Sequence, residues 1–143
     1  MRILLDEDTP LQLLAVLRHL PPAQRLDHIR DLQWCGKKDR AVLADARTAG
    51  FHLLLTNDAK QLDDPDECAA IRKSGLHHVR YAQRHPGLKG LALAMGAVIS
   101  SIPAVLEELA EANGQRLVLI RGLDPRGRFQ IVDPSKSPPP YWR

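Results

Sequence analysis

Acidic side chains that follow apolar segments are the residues of this sequence best suited to chemistry. Asp6 ends the apolar run Arg2–Leu5, and Asp58 closes the polar triplet after the run Phe51–Leu55. Asp39 opens an alanine-rich segment between these runs. Carboxylates in one place repel each other, and a divalent cation relieves the repulsion while every carboxylate stays charged. Oxygen ligands favour Mg²⁺ or Mn²⁺, which can activate water and stabilise the leaving oxygen of a phosphodiester.

Two further acids, Asp8 and Asp63, are candidate metal ligands because they stand close in sequence to Asp6 and Asp58. These carboxylates share one site only if the crossovers of the fold bring them together. Parallel strands place their carboxyl ends at the same edge of a sheet, and ligands gather at that edge. We therefore expect Asp6 and Asp58 to lie on one edge.

A structural role is the alternative for several of these acids. Asp39 is suited to cap a helix, and Glu7 and Asp8 can complement a helix N-terminus. The same interpretation explains the acids of a later segment, as an N-cap and first-turn residues: Asp64, Asp66 and Glu67. The aspartates at the strand ends are the hardest to explain in this way, because ionised groups there need partners.

Basic residues lie in the same loops as Asp39 and Asp58. They are Lys37, Lys38, Arg40 and Lys60. Such side chains can contact phosphates. Solvated loop charges explain them equally well, so their role depends on whether they face the acids.

Alternating strands and helices must position these residues. The apolar runs predict strands at Arg2–Leu5, Arg25–Ile29, Phe51–Leu55, His77–Tyr81, Arg116–Arg121 and Arg128–Val132. Helices are predicted from Thr9 to Leu20, over Asp39–Ala49, from Asp64 to Ser74 and over Leu88–Ala112, the last bent or split at Pro103. This order predicts an α/β fold in which a mainly parallel sheet is covered on both faces, as a three-layer sandwich, and closes with a C-terminal β-hairpin.

The ends of these elements carry specific signals. Thr9 is predicted to cap the first helix, with Pro10 at its first position, Gln12 completing a capping box, and Pro21-Pro22 stopping it. Gly50 is placed to end the second helix. The chain is predicted to form one domain over residues 1–133, followed by an extended, poorly ordered Pro-rich tail over 134–143.

Composition narrows the function classes further. A hydrophobic fraction of 44% supports a packed core and argues against a disordered chain. The longest apolar stretch, Leu91–Ile99, is short for a membrane span, and the acids after Leu5 interrupt any signal-peptide core. The sequence contains no CxxC unit and no phosphate-binding glycine motif. We therefore expect a cytoplasmic domain with no membrane association.

The residues that carry the acids also resemble a known family. The segments Leu4–Asp8 with Pro10, the helix that begins at Asp39, and Leu54–Asp58 are similar to those of small PIN-like proteins, a branch of the PIN-domain superfamily close to the toxin ribonucleases of bacterial toxin–antitoxin pairs. The order of the later elements is similar as well. The resemblance covers about residues 1–133.

The resemblance implies metal-dependent hydrolysis of RNA by Mg²⁺ or Mn²⁺, with Asp6, Asp39 and Asp58 as the catalytic, metal-binding acids. It also implies a small antitoxin that crosses the cleft, and a homodimer. Family members often carry another acid two residues after the position of Asp58. This sequence has Lys60 there, and Asp63 is the acid that could substitute.

Two alternatives belong to other classes of function. One is a PIN-like domain without catalysis that binds RNA or a protein partner. The other is a receiver-type signalling domain, which also clusters acids after its first strand. A receiver domain predicts a lysine just after the last parallel strand, and here Ile120 is followed by Arg121.

Overall fold

The computed structural model describes residues 1–20, 25–58 and 60–143. Within them lies a sheet of six strands: β1 Arg2–Leu5, β2 Arg25–His28, β3 Leu53–Thr56, β4 His77–Tyr81, β5 Leu117–Ile120 and β6 Phe129–Val132. The α-helices are α1 Leu11–Leu17, α2 Asp39–Thr48, α3 Pro65–Ser74 and α4 Gly87–Ala110, and a 3₁₀ turn occupies Gln61–Asp63. The predicted alternation of strands and helices is confirmed.

The sheet order explains why residues distant in sequence meet. Strands follow each other as β2-β1-β3-β4-β5-β6, parallel from β2 to β5, with β6 antiparallel to β5. The fold is therefore α/β with a mainly parallel sheet and a C-terminal hairpin, as predicted. β1 lies directly beside β3, and Leu5 is opposite Leu55. The segments after these two strands thus emerge side by side at one edge.

Apolar side chains cover both faces of the sheet. In β1 and β3 they alternate: Leu5 and Leu55 pack with α1 and α4, whereas Leu4 and Leu54 pack with α2 and α3. All four are 0–2% exposed, and burial of each leucine stabilises the fold by about 2 kcal/mol. This makes a three-layer sandwich, and its buried central strands hold the edge that carries the acids.

The first helix differs from its predicted start. Pro10 occupies the N-cap position, α1 begins at Leu11, and no side chain caps it, so the predicted capping box with Gln12 is wrong. Thr9 is buried instead, and its hydroxyl donates to the carbonyl oxygen of Leu55 at 3.3 Å. A tertiary hydrogen bond to the neighbouring strand therefore takes the place of the local cap. The predicted stop at Pro21-Pro22 lies outside the described residues.

Other predicted helix ends are confirmed. The carboxylate of Asp64 accepts from the backbone amides of Asp66 and Glu67, which makes it the N-cap of α3. Gly50 follows α2 with a φ of +82°, the left-handed conformation that glycine adopts without strain. These caps fix the entry of α3 and the exit of α2 beside the sheet.

The longest helix, α4, runs unbroken through Pro103. By length and composition alone it is apolar enough to cross a membrane, a feature that the short stretch Leu91–Ile99 did not reveal. A core helix passes the same test, and α4 places residues such as Val98 and Val105 against the sheet with 0% exposure. The face that carries these residues therefore belongs to the core of the fold.

The C-terminal tail forms turns rather than an extended segment. Asp133 accepts hydrogen bonds from the backbone amide and the hydroxyl of Ser135, and Trp142 packs against the core beneath α2 and α3. Packing of this tryptophan against apolar residues opposes the extended conformation expected from the prolines. The boundary at residue 133 stays a prediction.

Candidate metal centre

Asp6 lies at the carboxyl end of β1, and both its backbone and its side chain form hydrogen bonds. Its backbone amide donates to Leu55 at 2.9 Å, which extends the β1–β3 pairing by one residue. One carboxylate oxygen accepts from the amide of Glu7 and the other from the hydroxyl of Thr56, both at 2.8 Å. The residue is 8% exposed. Its orientation is therefore fixed by the strands.

Thr56, the last residue of β3, connects the two strand ends. Its hydroxyl donates to Asp6 at 2.8 Å, lies 3.5 Å from both carboxylate oxygens of Asp8, and accepts from the amide of Asp58 at 3.0 Å. The amide of Asn57 donates to Asp8 at 3.1 Å. Thr56 was not identified as a site residue from the sequence, although it directly follows the apolar run that ends at Leu55.

A second group of acids lies beside the first. Asp39, Asp58 and Glu67 are partly buried, and one carboxylate oxygen of each lies within 4.8 Å of the other two. Asp39 is the first residue of α2, and Glu67 lies in the first turn of α3. Oxygens on opposite sides of one Mg²⁺ lie about 4.2 Å apart, so side-chain movements of about 0.6 Å or less would let these three share a cation.

Glu67 is the member of this group that the sequence interpretation missed. It was assigned to the first turn of a helix, where it does lie, but it also turns toward Asp39 and Asp58. Asp63, proposed as the substitute acid, is exposed on the 3₁₀ turn and outside this group. The position of Glu67 in the sequence could have indicated this role. Because α3 follows the loop after β3, its first turn lies at the same edge of the sheet as Asp58.

The electrostatics join both groups into one centre. Burial and the charges of Asp8 and Asp39 raise the pKa of Asp6 to about 6, against the lowering effect of its hydrogen bonds. Partial loss of hydration and the charges of Asp58 and Asp39 raise the pKa of Asp8, although its side chain keeps contact with solvent. The carboxylates after β1 and β3 therefore share one negative field.

The charges of the same neighbours also act on Glu67. Desolvation, then the charge and hydrogen bond of Asp39, then the charge of Asp58, raise the pKa of Glu67 to about 7. The sharing of one proton between neighbouring carboxylates is the usual response to such crowding when no cation is bound. The carboxylates of the centre thus repel each other, and a bound cation would reduce this repulsion.

A buried chain of polar groups supports Asp39 from beneath. The Gln61 amide donates to a carboxylate oxygen of Asp39 at 3.2 Å, and its carbonyl oxygen lies 2.9 Å from Nε2 of His78. Gln61 and His78 are 2% and 1% exposed. Burial lowers the pKa of His78 to about 3, so the ring is neutral and must carry its proton on Nε2 to donate to Gln61. The amide is thereby oriented with its donor toward Asp39.

The predicted basic residues occupy different positions around the acids. Lys37 pairs with Asp45 and lies over the ring of Trp34, whereas Lys38 is the exposed N-cap residue of α2. Arg40 is 4.0 Å from Asp66, and both side chains are exposed. Lys60 reaches Asp58 through its backbone amide at 2.8 Å, not through its ammonium group. Their loops border the acidic centre, and contact with RNA stays a prediction.

The donor chemistry of the centre fits a hard divalent cation. Its side-chain donors are all carboxylate oxygens: Asp6, Asp8, Asp39, Asp58 and Glu67. The group lacks nitrogen and sulfur donors among the described residues, which favours Mg²⁺ or Mn²⁺ over zinc. The residues present therefore fit the cation that the sequence led us to expect.

The raised pKa of Asp6 predicts a specific dependence of stability on pH. Between pH 3.8 and about pH 6, Asp6 keeps its proton in the folded, metal-free protein but has lost it in the unfolded chain. The free energy of unfolding therefore falls as pH rises through that range. We expect the free energy of unfolding of the wild-type protein to fall by about 3 kcal/mol relative to that of Asp6→Asn between about pH 4 and pH 7.

Urea unfolding of both proteins in EDTA measures this difference. The opposing contribution of His78, whose lowered pKa makes the fold less stable in acid, is common to both proteins and cancels. A difference in stability that stays constant with pH would show that the Asp6 carboxyl is not under this electrostatic pressure.

Comparison with known protein families identifies a related domain. A family model described as a PIN like domain matches residues 1–83, which is more than half of the 143-residue chain. The matched range contains all five acids of the centre. No curated protein and no solved structure matches significantly.

Proposed function

This chain belongs to the PIN like domain family, and from that membership and its acidic centre we propose that it is a metal-dependent endoribonuclease. Domains of this family are commonly nucleases. The observation that carries the proposal is the convergence of Asp39, Asp58 and Glu67 within 4.8 Å, beside Asp6 and Asp8. Metal-assisted phosphodiester hydrolysis uses such a concentration of oxygen ligands.

Each acid has a distinct part in the proposed reaction. Asp39, Asp58 and Glu67 would hold Mg²⁺ or Mn²⁺, which when bound supplies the positive charge that lowers the pKa of water and stabilises a leaving oxygen. Each oxygen of Asp6 accepts one hydrogen bond, which orients the carboxylate and leaves lone pairs that would contribute to holding the cation. In Asp8, Oδ1 accepts from Asn57, whereas Oδ2 has only a 3.5 Å contact with Thr56 and remains able to accept a proton from water.

A nucleic-acid backbone is the substrate that the surroundings favour, and the resemblance to small PIN-like proteins makes RNA the expected form. The loops beside the acids carry Lys37, Lys38, Arg40 and Lys60, and cations of this kind position a phosphate backbone without reading its bases. Positive charge around an acidic centre also offsets the repulsion between that centre and a polyanion. We therefore expect cleavage with little dependence on base identity from these contacts.

Cleavage of a mixed RNA pool by purified protein tests the proposal. The protein is incubated with Mn²⁺, with Mg²⁺ and with EDTA, and the products are separated by length. We expect cleavage with the metals and none with EDTA. Protein shown to be free of bound partners that still cleaves no RNA would overturn the nuclease proposal and favour a PIN-like module that binds RNA or protein without catalysis.

A finer proposal is that the protein is the toxin of a toxin–antitoxin pair and acts in the cytoplasm, as a homodimer. It is supported by the similarity of the segments Leu4–Asp8 and Leu54–Asp58 to those of small PIN-like proteins, a branch close to the toxin ribonucleases. A cognate antitoxin segment crossing the cleft would block access to Asp58. Cleavage that appears only after a bound small protein is removed by unfolding and refolding would support this role.

A further inference from the structure

A groove of about 500 Å³ lies between α2 and α3, on the side of these helices that faces solvent. Its lining begins with Arg40, one residue after Asp39, and with Asp66, one residue before Glu67. The groove therefore starts beside the acidic centre. Because α2 and α3 both connect parallel strands, both run back from the edge that holds the acids, and the groove follows them away from the centre.

The residue spacing on the two helices creates this groove. Arg40, Ala44 and Arg47 lie on one face of α2, at helical intervals of four and three residues, and Ala69 and Lys73 share a face of α3. The alanines leave a shallow space where the helices pack together. Long basic side chains stand at its margins, so the groove has a narrow apolar floor and polar walls.

The charge of this surface is positive. Arg40, Arg47 and Lys73 line the groove against a single acid, Asp66. The ion pair between Arg40 and Asp66 spans 4.0 Å with both side chains exposed, and such pairs contribute little to stability. Arg47 is oriented by donating to the backbone carbonyl of Lys73, which leaves the rest of its guanidinium for another acceptor.

We propose that this groove binds the phosphate backbone of a single RNA strand that extends from the acidic centre. The proposal rests on the proposed nuclease function and adds the path of the substrate. Arg40 and Arg47 lie seven residues apart, about 10 Å along α2, so they can contact different phosphates of one strand. The short alanine floor lets a flexible backbone approach the helices closely and offers no deep pocket for an apolar anchor.

Binding of a fluorescent single-stranded RNA of about 12 nucleotides, a length within single-strand site sizes, tests the groove separately from cleavage. Anisotropy is measured in EDTA, where no cleavage is expected, at several salt concentrations. The test variant is Arg47→Gln/Lys73→Gln, in which glutamine retains a donor for the helix end. The matched control is Arg126→Gln/Lys136→Gln, which removes the same two charges from exposed positions outside the groove.

We expect the groove variant to weaken RNA binding about tenfold and to reduce the slope of log affinity against log salt by about 1.4, the effect of two lost phosphate contacts. The control should retain the wild-type slope. Should the groove variant fail to fold by circular dichroism, Arg40→Gln/Lys73→Gln replaces it, because it keeps the hydrogen bond from Arg47 to the carbonyl oxygen of Lys73.

Equal losses in the groove and control variants would overturn the proposal, because they would reflect net charge alone. A groove variant that binds RNA normally but loses binding to a polyglutamate peptide would also overturn it, in favour of an acidic protein segment. The same measurements distinguish failure of the groove proposal from failure of the nuclease proposal. Groove-dependent RNA binding without metal-dependent cleavage contradicts the nuclease and leaves the groove, whereas cleavage with unaffected binding contradicts the groove.

Discussion

Replacement of Asp58 by asparagine is expected to reduce metal-dependent RNA cleavage by at least about a hundredfold, since even residues that only support a metal ligand cost up to that much. Asp58 lies where the two groups of acids meet: its oxygen is within 4.8 Å of oxygens from Asp39 and Glu67, and its charge raises the pKa of Asp8. Asparagine keeps the shape and an acceptor oxygen but removes the charge. Initial rates of RNA cleavage in Mn²⁺ measure the effect.

The fold should survive this substitution. The side-chain oxygen of Asp58 accepts from the backbone amide of Lys60 at 2.8 Å, and the oxygen of asparagine can accept the same bond. Loss of one charge also reduces repulsion within the centre, so the thermal midpoint in EDTA should be equal to or higher than that of wild type.

Asp124→Asn is the matched control, because Asp124 lies in the β5–β6 turn and accepts from the amide of Arg126 in the same manner. It should cleave RNA at the wild-type rate. Full activity in Asp58→Asn would contradict the assignment of the centre, and strong destabilisation in EDTA would show that Asp58 is structural.

The placement of Asp6 and Asp58 at one edge of the sheet was predictable because it depends on signals that are local in sequence. Each aspartate follows a short, continuous apolar run, and such runs indicate strands that are buried on both faces. Helices between the runs require parallel connections, which place the carboxyl ends of both strands at one edge. No knowledge of the packing was needed to reach that conclusion, and the β1–β3 pairing bears it out.

Other polar contacts at and around the site depend on tertiary packing. Thr9 has a strong capping pattern in the sequence, but its hydroxyl bonds to Leu55 across the sheet. Gln61 and His78 lie in different elements, and their hydrogen bond forms only because β4 packs beside β3. Periodicity shows which residues are buried but not which polar groups meet, so these contacts were beyond sequence reasoning.

Glu67 illustrates how a local explanation can conceal a second role. An acid in the first turn of a helix is stabilising on its own, by about 0.3–1 kcal/mol, and this sufficed to explain it from the sequence. The structure retains that position and adds the neighbours Asp39 and Asp58. The two roles predict opposite effects of removing the charge, which makes them separable.

Glu67→Gln is therefore expected to weaken Mn²⁺ binding by at least about tenfold, with cleavage falling accordingly, while the metal-free protein becomes no less stable. A carboxylate whose pKa is raised to about 7 destabilises the metal-free fold increasingly as pH rises from 4.5 to 7, and glutamine removes that contribution. Isothermal titration with Mn²⁺ and thermal unfolding in EDTA at the two ends of this range measure both effects.

The control for this prediction is Asp66→Asn, which removes an acid from the same first turn but lies outside the metal group. It should change Mn²⁺ affinity by no more than about twofold and lower stability slightly, through the helix dipole. If Glu67 served only the helix, Glu67→Gln would behave like Asp66→Asn: stability would fall at both pH values and Mn²⁺ affinity would not change. Opposite signs of the stability change in the two variants at neutral pH would instead show that the fold holds Glu67 in repulsion with Asp39, and loss of Mn²⁺ affinity in Glu67→Gln alone would identify it as a metal ligand.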